Sequence, residues 1–452
     1  MELRNKQVLV LGAGISGIAV AKVAKALGAK VTISDNKAIE SLGHIADTLN
    51  QLGIELIPGT QSDILLQNMD MVIPSPGISI YHHLLQQAIK QRIEVISEVE
   101  FAYRLTEVPF IAITGTNGKT TTTTLVGEIL KNADRNIVLG GNIGIPLSEA
   151  VYNLPDADFV VAEISSFQLE GVQQFRPYVC AVLNLTPDHI DRHGNVAVYQ
   201  EMKERIFAQQ YREDYLILNY DDEIVRGMAD RATANVVFFS NTHILEEGAF
   251  LRGGYLVLKL AGQEEIICAA TEMGIRGGHN VQNALAACAI AKICNVPTEI
   301  MAATLRSFKG VEHRLELVGE QRGVKFYNDS KATNPESSIV ALQAFTEPVV
   351  LIAGGRDKGT DLGPLMTEIK GHVRGLILLG EAAERFEQAA KDFCISEIHR
   401  VAELKDAVLL AARVAKPGES VLLSPACASY DMFSNFEERG RDFKRLVTEL
   451  RR

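Results

Sequence analysis

A glycine-rich turn after residue 114 is the first segment whose residue types could do chemistry. The turn Gly115–Gly118 follows the apolar run Phe110–Ile113 and precedes Lys119 and Thr120. Glycines let backbone N–H groups face an anion, and a helix that begins at such a turn adds a favourable dipole. A lysine at this position contacts nucleotide phosphates, and the hydroxyl after it can bind Mg²⁺. The segment therefore predicts a nucleotide phosphate site, although Ile113 stands where the general pattern has its first glycine.

Candidate metal ligands follow two of the neighbouring predicted strands. Glu163 closes the apolar strand Phe159–Ala162, and His189 lies in the polar loop after the strand Val179–Leu185. Carboxylate oxygens suit Mg²⁺, and the carboxyl ends of parallel strands meet at one edge of a sheet. Glu163 is therefore a candidate magnesium ligand. His189 taken alone is more often structural, and Lys203 on the next predicted helix would by itself be a solvated lysine.

A second glycine pattern occurs near the N-terminus. Gly12, Gly14 and Gly17 follow the strand Val8–Leu11, and Asp35 closes the next strand. This spacing is typical of NAD-binding domains, in which the pyrophosphate lies at a helix N-terminus. The same geometry can receive another diphosphate, such as the UDP group of a sugar nucleotide, and the pattern alone leaves both ligands open.

These residues need a scaffold of alternating strands and helices. Predicted helices are Ile15–Leu27, Thr120–Asn132, Asn280–Cys294 and Glu299–Phe308; further strands are Val31–Ser34, Met71–Ile73, Tyr215–Leu218, Lys325–Asn328, Val349–Ala353, Leu376–Leu379 and Val421–Leu423. Residues 236–270 favour short antiparallel strands, and Ser165–Gln168 is predicted to be a site loop. The pattern predicts three α/β domains, at residues 1–98, 99–310 and 311–452.

Composition excludes several classes of protein. The chain has 452 residues, 47% of them hydrophobic, and a net charge of -11 without a basic block that could follow a nucleic-acid backbone. No apolar run approaches the roughly 18 residues of a membrane helix. The six cysteines lack paired spacing and are expected to be buried thiols in a reducing compartment. We expect a cytoplasmic protein that binds neither nucleic acid nor membrane.

Motifs along the whole chain resemble those of one enzyme family. In order they are Gly12-Ala13-Gly14-Ile15-Ser16-Gly17, Gly115-Thr116-Asn117-Gly118-Lys119-Thr120, Gly141-Asn142-Ile143-Gly144, Asp188-His189, His279-Asn280, His313-Arg314 and Asp329-Ser330-Lys331-Ala332-Thr333-Asn334. This series resembles the Mur ligase family, ATP-dependent enzymes that build the peptidoglycan stem peptide. The resemblance implies an N-terminal Rossmann-like domain that binds the UDP substrate, a central P-loop ATPase domain and a C-terminal Rossmann-like domain that binds the incoming amino acid.

The C-terminal signature narrows the implied activity. Leu423–Asp431 and Asn435–Gly440 resemble the members that add D-glutamate to UDP-N-acetylmuramoyl-L-alanine, and the diaminopimelate-adding signature Asp-Asn-Pro-Arg is absent from the sequence. The implied reaction proceeds through an acyl phosphate and releases ADP and phosphate in cytoplasmic peptidoglycan precursor synthesis, and the enzyme is expected to be a monomer. Folylpolyglutamate synthase lacks the N-terminal domain. An NAD-dependent oxidoreductase and a non-catalytic nucleotide sensor remain as rival hypotheses.

The resemblance also assigns roles to residues. It implies ATP contacts at Gly115, Thr116, Asn117, Gly118, Lys119, Thr120, Thr121, Asn283, His313, Arg314, Asp329 and Lys331. It also implies that Thr120 and Glu163 bind one Mg²⁺ and that His189 and a carbamylated Lys203 bind a second. The implied contacts with the UDP substrate are Ile15, Ser16, Asp35, Asn36, Gly77 and Asn142, and those with D-glutamate are Thr333, Lys358, Ser429 and Phe436. Lys119, Glu163, His189 and Lys203 would form the catalytic set. Substrate sites on separate domains imply domain closure, with a hinge predicted near Gly310–Glu312.

Overall fold

The chain folds into two compact units that contain three sheets. A computed structural model describes residues 1–59, 61–188, 190–357 and 359–450, and for residues 44, 190 and 191 it describes the backbone alone. The first unit is Met1–Glu272 with Val281–Arg306, and the second is Met273–Asn280 with Ser307–Arg452. The sheets have five, nine and six strands. The predicted α/β class is confirmed.

The first sheet is parallel and buried on both faces. Its elements are β1 Gln7–Leu11, α1 Ile15–Ala26, β2 Lys30–Asp35, α2 Ile39–Gln51, β3 Glu55–Pro58, β4 Met71–Pro74, α3 His83–Lys90, β5 Glu94–Val95 and α4 Glu98–Tyr103, with strand order β3-β2-β1-β4-β5. Val8 and Val10 belong to one core, while Leu9 and Leu11 belong to the core on the opposite face. Because successive side chains of a strand alternate, a strand covered on both faces reads as a continuous apolar run.

The second sheet carries the glycine-rich turn Gly115–Gly118, called the phosphate loop below after its predicted role. Its strands are β6 Phe110–Thr114, β7 Ile137–Gly141, β8 Phe159–Glu163, β9 Val179–Val182, β10 Tyr215–Asn219, β11 Asn235–Ser240, β12 Gly248–Arg252, β13 Tyr255–Leu260 and β14 Gln263–Ala269; the helices are α5 Lys119–Asn132, α6 Leu147–Asn153, α7 Ser166–Leu169, α8 Ile190–His193, α9 Val196–Glu204 and α10 Glu223–Arg226, followed by α11 Gly278–Ile293 and α12 Thr298–Ser307. The order is β14-β13-β12-β11-β10-β9-β6-β8-β7. Strands β12, β13 and β14 pair in antiparallel fashion, as predicted for residues 236–270, but β11, at the start of that segment, is parallel to both β10 and β12.

The third sheet lies in the second unit. Its elements are β15 Glu316–Gln321, β16 Val324–Asn328, α13 Pro335–Leu342, β17 Val349–Gly354, α14 Gly363–His372, β18 Val373–Leu379, α15 Ala383–Asp392, β19 Ile398–Arg400, α16 Leu404–Val414, β20 Ser420–Leu423 and α17 Phe436–Glu449, in strand order β15-β16-β20-β17-β18-β19. Among the described strands of this sheet, only β15 pairs in antiparallel fashion. Val350 and Ile352 of β17 face one core, and Leu351 and Ala353 face the other.

Three local predictions were wrong. Ser165–Gln168 was expected to be a loop, but Ser165 caps helix α7 and forms a reciprocal capping box with Gln168. Strand β9 ends at Val182 rather than Leu185. Cys394 is exposed, whereas the other five cysteines are buried free thiols. The predicted domain boundaries at residues 98 and 310 stay predictions.

Among residues 1–59, 61–188, 190–357 and 359–450, no helix is both long enough and apolar enough to cross a bilayer.

Glu98 is a buried carboxyl group at the first residue of α4. It is 2% exposed, and its Oε1 accepts a hydrogen bond of 2.6 Å from the backbone N–H of Ser148 in the first turn of α6. Its Oε2 has no hydrogen-bond partner among the described residues. Burial therefore raises the pKa of Glu98, and the hydrogen bond from the Ser148 N–H opposes that shift only in part.

Replacing Glu98 with glutamine is expected to stabilise the protein in alkaline solution. The raised pKa means that the folded chain holds the Glu98 proton more tightly than the unfolded chain does. Its stabilising contribution is therefore complete below the unfolded pKa and is lost as pH rises through the folded pKa. Glutamine keeps the bond to Ser148 without the charge, so the midpoint of thermal unfolding should rise by at least about 2 °C near pH 9. The gain should shrink near pH 5; an equal gain at both pH values would contradict this explanation.

Candidate active site

The phosphate loop joins β6 to the first turn of α5. Gly118 is the N-cap of α5, with φ 83°. A Cβ atom at Gly118 would lie 2.3 Å from Oδ1 of Asn283, so both the backbone conformation and the contact require glycine. Asn283 is 5% exposed, and its Oδ1 also accepts a hydrogen bond from the Thr122 hydroxyl at 3.3 Å. The structure thus brings Asn283 against the turn that the sequence assigned to nucleotide phosphates.

Two lysines meet at one carbonyl of this loop. Lys119 Nζ donates to the carbonyl oxygens of Gly115 and Thr116, at 2.8 Å each. Lys203 Nζ, from helix α9, donates to the same Gly115 oxygen at 2.9 Å. The loop therefore gathers two amino groups at the end of β6, where a polyphosphate chain would lie against the N-terminus of α5.

Lys203 is buried, in contrast to the solvated lysine that its spacing suggested. Its exposed fraction is 1%, and its Nζ lies 4.6 Å from the ring centre of Tyr199, one helical turn earlier. Burial is the main cause that holds the pKa of Lys203 well below its usual value; the nearby charge of Lys119 lowers it further and Asp188 partly opposes this. A buried amine of this kind is more often neutral, and hence nucleophilic, than a surface lysine.

Glu163 ends β8 beside the phosphate loop. In the parallel pairing of β6 with β8, Glu163 is the register partner of Ile113. The carboxylate is 2% exposed, and its Oε1 accepts a 2.7 Å hydrogen bond from Asn142 Nδ2. Its Oε2 is buried and has no hydrogen-bond partner among the described residues. A buried carboxylate oxygen without a partner is costly unless an ion or another donor satisfies it.

These oxygens fit the magnesium ion that the sequence predicted. The unpartnered Oε2 of Glu163 is a hard oxygen donor of the kind that Mg²⁺ prefers. Thr120 is the second residue of α5, the helix that follows β6, and β6 is the strand next to β8. Thr120 is 6% exposed, and Thr121 after it is 3% exposed. His189, the predicted ligand of a second ion, lies outside the described residues.

The N-terminal glycine loop is held by an acid. Asp35 Oδ2 accepts a hydrogen bond of 2.8 Å from the N–H of Ala13, and its Oδ1 accepts one of 2.9 Å from the N–H of Lys37. A Cβ atom at Gly17 would lie 2.0 Å from the Gly12 oxygen, so α1 can approach the loop this closely only with glycine. Among the predicted contacts, Ile15 begins α1 with a 79% exposed side chain. Ser16 follows it at intermediate exposure, while Asn36, Gly77 and Asn142 are exposed.

A second group of predicted residues comes together in the second unit. Asp329 follows β16 and is 5% exposed; its Oδ2 accepts from the Ser424 hydroxyl at 2.7 Å and its Oδ1 accepts from the Leu315 N–H at 3.2 Å. Lys331 N–H donates to the His313 oxygen at 3.0 Å. Arg314 lies close enough that its charge, added to burial, lowers the pKa of His279 to about 4.

Arg439 connects two segments that carry residues predicted to orient D-glutamate. Its guanidinium donates to the Ser330 hydroxyl at 2.9 Å and to the carbonyl oxygens of Cys427 and Ala428 at 3.1 and 3.4 Å. These contacts join the segment that carries Lys331 and Thr333 to the segment that carries Ser429. Lys331 Nζ lies 5.9 Å from the ring centre of Phe436, whose carbonyl accepts from the Ser330 hydroxyl at 2.8 Å. Lys358 lies outside the described residues.

The Asp329 carboxyl group should make stability depend on pH near neutrality. Burial raises its pKa to about 7, against the hydrogen bond from Ser424 and the charge of Arg314. Because the folded pKa is raised, its stabilising contribution is present at low pH and is lost as pH rises through about 7. From about pH 6 to about pH 8, wild type should lose about 1.4 kcal/mol relative to Asp329→Asn in urea unfolding. Parallel pH curves for the two proteins would contradict the assignment, whatever their absolute stabilities.

Several site residues were missed by reasoning from the sequence. Tyr199 touches Lys203 and its hydroxyl lies 3.2 Å from the Thr116 hydroxyl; its spacing of four residues before Lys203 was a usable signal. Asn184 accepts from the N–H of Asn117 at 2.8 Å and donates to its oxygen at 3.1 Å. Arg439 lies within the C-terminal signature Asn435–Gly440, but the resemblance assigned it no role. Nothing local in the sequence marked Asn184.

Three family models match successive parts of the chain. The Mur ligase MurD-like N-terminal domain matches residues 6–97, the Mur ligase middle domain matches residues 113–291, and the Mur ligase glutamate ligase domain matches residues 313–427. The three models follow one another in the order expected from the motifs, one for each of the three sheets.

Curated relatives and solved structures agree with these matches. UDP-N-acetylmuramoylalanine--D-glutamate ligase of a Thermoanaerobacter species (strain X514) is 46% identical over 454 residues, and that of Clostridioides difficile (strain 630) is 41% identical over 453 residues; both alignments cover 100% of each chain. The crystal structure of UDP-N-acetylmuramate-alanine ligase MurC from Thermotoga maritima has a TM-score of 0.60 at 20% identity, covering 98% of this chain and 99% of that one. MurF ligase of the same organism, in complex with ADP, has a TM-score of 0.58 at 17% identity, covering 99% and 96%. The three-domain fold is confirmed, and the chain belongs to the Mur ligase family.

Proposed function

We propose that this chain is an ATP-dependent ligase that joins D-glutamate to UDP-N-acetylmuramoyl-L-alanine during peptidoglycan precursor synthesis. The observation that carries the proposal is full-length identity of 46% to relatives named for this reaction. The phosphate loop, with Lys119 and Lys203 at the Gly115 carbonyl, supports ATP as the energy source.

The chemistry proceeds in two steps. The carboxylate of the L-alanine tail attacks the γ-phosphorus of ATP and gives an acyl phosphate and ADP. The D-glutamate amine then attacks the acyl carbonyl, and the tetrahedral intermediate collapses to the amide and inorganic phosphate. Phosphoryl transfer requires mainly positioning and neutralisation of charge. Lys119 is the cation placed at the loop for that purpose, and the amides of Gly115–Gly118 with the N-terminus of α5 bind the phosphates.

The metal ligands divide into two sets. Thr120 and Glu163 would hold one Mg²⁺, which neutralises phosphate charge when bound. His189 and Lys203 would hold a second, with Lys203 carbamylated so that a buried amine becomes an anionic oxygen ligand. The burial of Lys203 and its lowered pKa support this modification, because a neutral amine can attack CO₂.

The N-terminal glycine loop is assigned to the UDP group rather than to NAD. In an NAD site the acid after the second strand hydrogen-bonds the ribose. Here Asp35 Oδ2 accepts the backbone N–H of Ala13 in the loop, and Oδ1 accepts the N–H of Lys37, so the acid shapes the loop that receives a diphosphate. Ile15, Ser16, Asn36, Gly77 and Asn142 complete the proposed contacts with the UDP substrate.

The C-terminal residues are assigned to the remaining ligands. Asn283, Asp329, Lys331, His313 and Arg314 would contact ATP. Thr333, Lys358, Ser429 and Phe436 would orient D-glutamate, whose two carboxylates require a cation such as Lys358. We also propose that the enzyme is monomeric and cytoplasmic and that its domains close about a hinge near Gly310–Glu312.

Phosphate release tests the proposed reaction directly. The assay contains ATP, Mg²⁺ and UDP-N-acetylmuramoyl-L-alanine, with D-glutamate, L-glutamate, D-aspartate, L-lysine or diaminopimelate in separate reactions. Release that depends on D-glutamate alone is expected. Release with another amino acid would keep the ligase class and overturn the proposed substrate, and no release with any of the five would overturn the function.

A further inference from the structure

A buried ion pair connects two predicted substrate regions of the first unit. Arg192 Nε donates to Glu170 Oε1 at 2.9 Å, and its Nη2 donates to Glu170 Oε2 at 2.8 Å. The side chains are 13% and 7% exposed. In this bidentate geometry two N–H···O hydrogen bonds fix the orientation of the guanidinium group relative to the carboxylate.

The same ion pair binds backbone groups of the turn Gly77–Ile80, which follows β4 in the first sheet. Arg192 Nη1 donates to the Gly77 oxygen and Nη2 to the Ile78 oxygen, at 3.1 Å each. Glu170 Oε2 accepts from the Ile80 N–H at 3.0 Å. Three backbone groups within four residues are therefore fixed by one ion pair. Gly77 belongs to the proposed UDP-substrate contacts, so the pair holds the turn on which that contact depends.

On its other side, Arg192 belongs to the segment that approaches Lys203. It lies on α8, next to His193, whose Nε2 is 3.0 Å from the Ser166 hydroxyl. The Arg192 guanidinium lies 4.2 Å from the ring centre of Phe167, and the His193 ring packs between Phe167 and Tyr199 at 5.5 and 5.3 Å. Tyr199 in turn touches Lys203 and the phosphate loop. A short series of direct contacts thus runs from the Gly77 turn to the phosphate loop.

A purely structural role is the competing explanation. Buried ion pairs are weak evidence for stabilisation, because desolvation offsets much of the attraction. An apolar pair of similar volume could hold two packed sheets equally well. What an apolar pair could not do is hold the Gly77 and Ile78 carbonyls in fixed directions, since that requires several N–H donors in one plane.

We propose that Arg192, held by Glu170, is a positioning residue that couples the UDP-substrate turn Gly77–Ile80 to the nucleotide and metal site beside Lys203. Occupation of one site then strengthens binding at the other. Because such coupling is reciprocal, each ligand must raise the affinity of the other by the same factor. The inference rests on the proposed function, which assigns ligands to the two sites.

The test measures affinities at both sites in the full-length protein. Titration calorimetry gives the dissociation constant of UDP-N-acetylmuramoyl-L-alanine with and without a non-hydrolysable ATP analogue and Mg²⁺, and the reverse titration gives the reciprocal factor. Wild type should show a factor of about 10 in both directions, within the usual range of allosteric coupling. In Arg192→Met the factor should fall to about 1, and the KM for the UDP substrate should rise about tenfold while the KM for D-glutamate stays within about twofold.

Arg176→Met is the matched control. Arg176 makes the same bidentate contact, with Asp214 at 2.7 and 3.2 Å, and lies 4.2 Å from the ring centre of Tyr211. Its partners Asp214 and Tyr211 lie just before β10 of the second sheet, and neither belongs to the Gly77 turn. Removing it should lower thermal stability to a similar extent and leave the coupling factor unchanged.

Milder variants cover the case in which Arg192→Met does not fold. Arg192→Lys keeps the charge and loses the planar fork, and Glu170→Gln removes the acid; both should reduce the coupling factor and raise the KM for the UDP substrate. A folded Arg192 or Glu170 variant with the wild-type factor would overturn the proposal, as would a factor of 1 in wild type. If wild type also releases no phosphate with D-glutamate, the proposed function fails; if it does release phosphate, only the coupling fails.

Discussion

Replacing Glu163 with glutamine is expected to lower the rate of D-glutamate-dependent phosphate release by about 10³-fold or more. Glutamine preserves the size of the side chain, and its oxygen can still accept the 2.7 Å hydrogen bond from Asn142. What it removes is the negative charge at the buried Oε2, for which the described residues offer no hydrogen bond. A neutral amide is a poor ligand for Mg²⁺ in comparison with a carboxylate. The loss should therefore appear in kcat and in the Mg²⁺ dependence, as measured by steady-state kinetics at several Mg²⁺ concentrations.

Glu98→Gln is the matched control for this substitution. Both glutamates are 2% exposed, and each has one carboxylate oxygen without a hydrogen-bond partner in the described part of the chain. Only Glu163 ends a strand next to the phosphate loop. The control should retain wild-type activity, and the thermal midpoint of Glu163→Gln without Mg²⁺ should not fall below that of wild type. An active Glu163→Gln enzyme, with more than about a tenth of the wild-type rate, would remove Glu163 from the metal site.

The position of Glu163 shows what the sequence could predict. A continuous apolar run such as Phe159–Ala162 indicates a strand buried on both faces, and such strands lie in parallel sheets. Parallel strands end at one edge, so an acid that closes one strand must lie near a glycine turn that closes its neighbour. The observed register of Ile113 with Glu163 follows this reasoning. The closeness of the glycine turn to the acid could therefore be predicted without any tertiary information.

Lys203 shows where this reasoning stops. A lysine near the C-terminus of an isolated helix is normally solvated, and helix α9 gives no local reason for burial. Its burial arises from a contact with Gly115, which is 88 residues earlier in the chain. The Arg192 contacts with Gly77 and Glu170 span 115 and 22 residues in the same way. Side-chain patterns predict which elements form, but these contacts depend on how the loops of the first two sheets meet, and no periodicity encodes that.

Helix α7 was missed for a different reason. Ser165 and Gln168 form a capping box, and this signal was present in the sequence as Ser-x-x-Gln. The helix has only four residues, which is too short for hydrophobic periodicity to appear. The capping residues were interpreted as polar site residues instead. A local rule could have found this element, whereas no local rule could have found the burial of Lys203.

Replacing Lys203 with arginine is expected to reduce phosphate release by about 10³-fold or more, for a chemical reason that differs from loss of charge. The amine of Lys203 has a pKa well below its usual value because of burial and the proximity of Lys119. A neutral amine can attack CO₂ and release a proton, which leaves a carbamate with two oxygens in place of an ammonium group. Arginine stays charged at all working pH values and cannot form a carbamate under these conditions.

Isotopic labelling makes this prediction independent of activity. Wild type incubated with ¹³C-bicarbonate should show a carbamate resonance by ¹³C NMR, and Lys203→Arg should not. Removing CO₂ at about pH 6 should lower wild-type activity, because protonation of the amine reverses the modification, and bicarbonate at about pH 8 should restore it. Lys131→Arg is the control, because the side chain of Lys131 on α5 is 52% exposed. This variant should behave as wild type in both measurements. An unlabelled but fully active wild-type enzyme would show that Lys203 acts as a free amine, and its role at the Gly115 carbonyl would then be to hold the phosphate loop rather than to hold a metal.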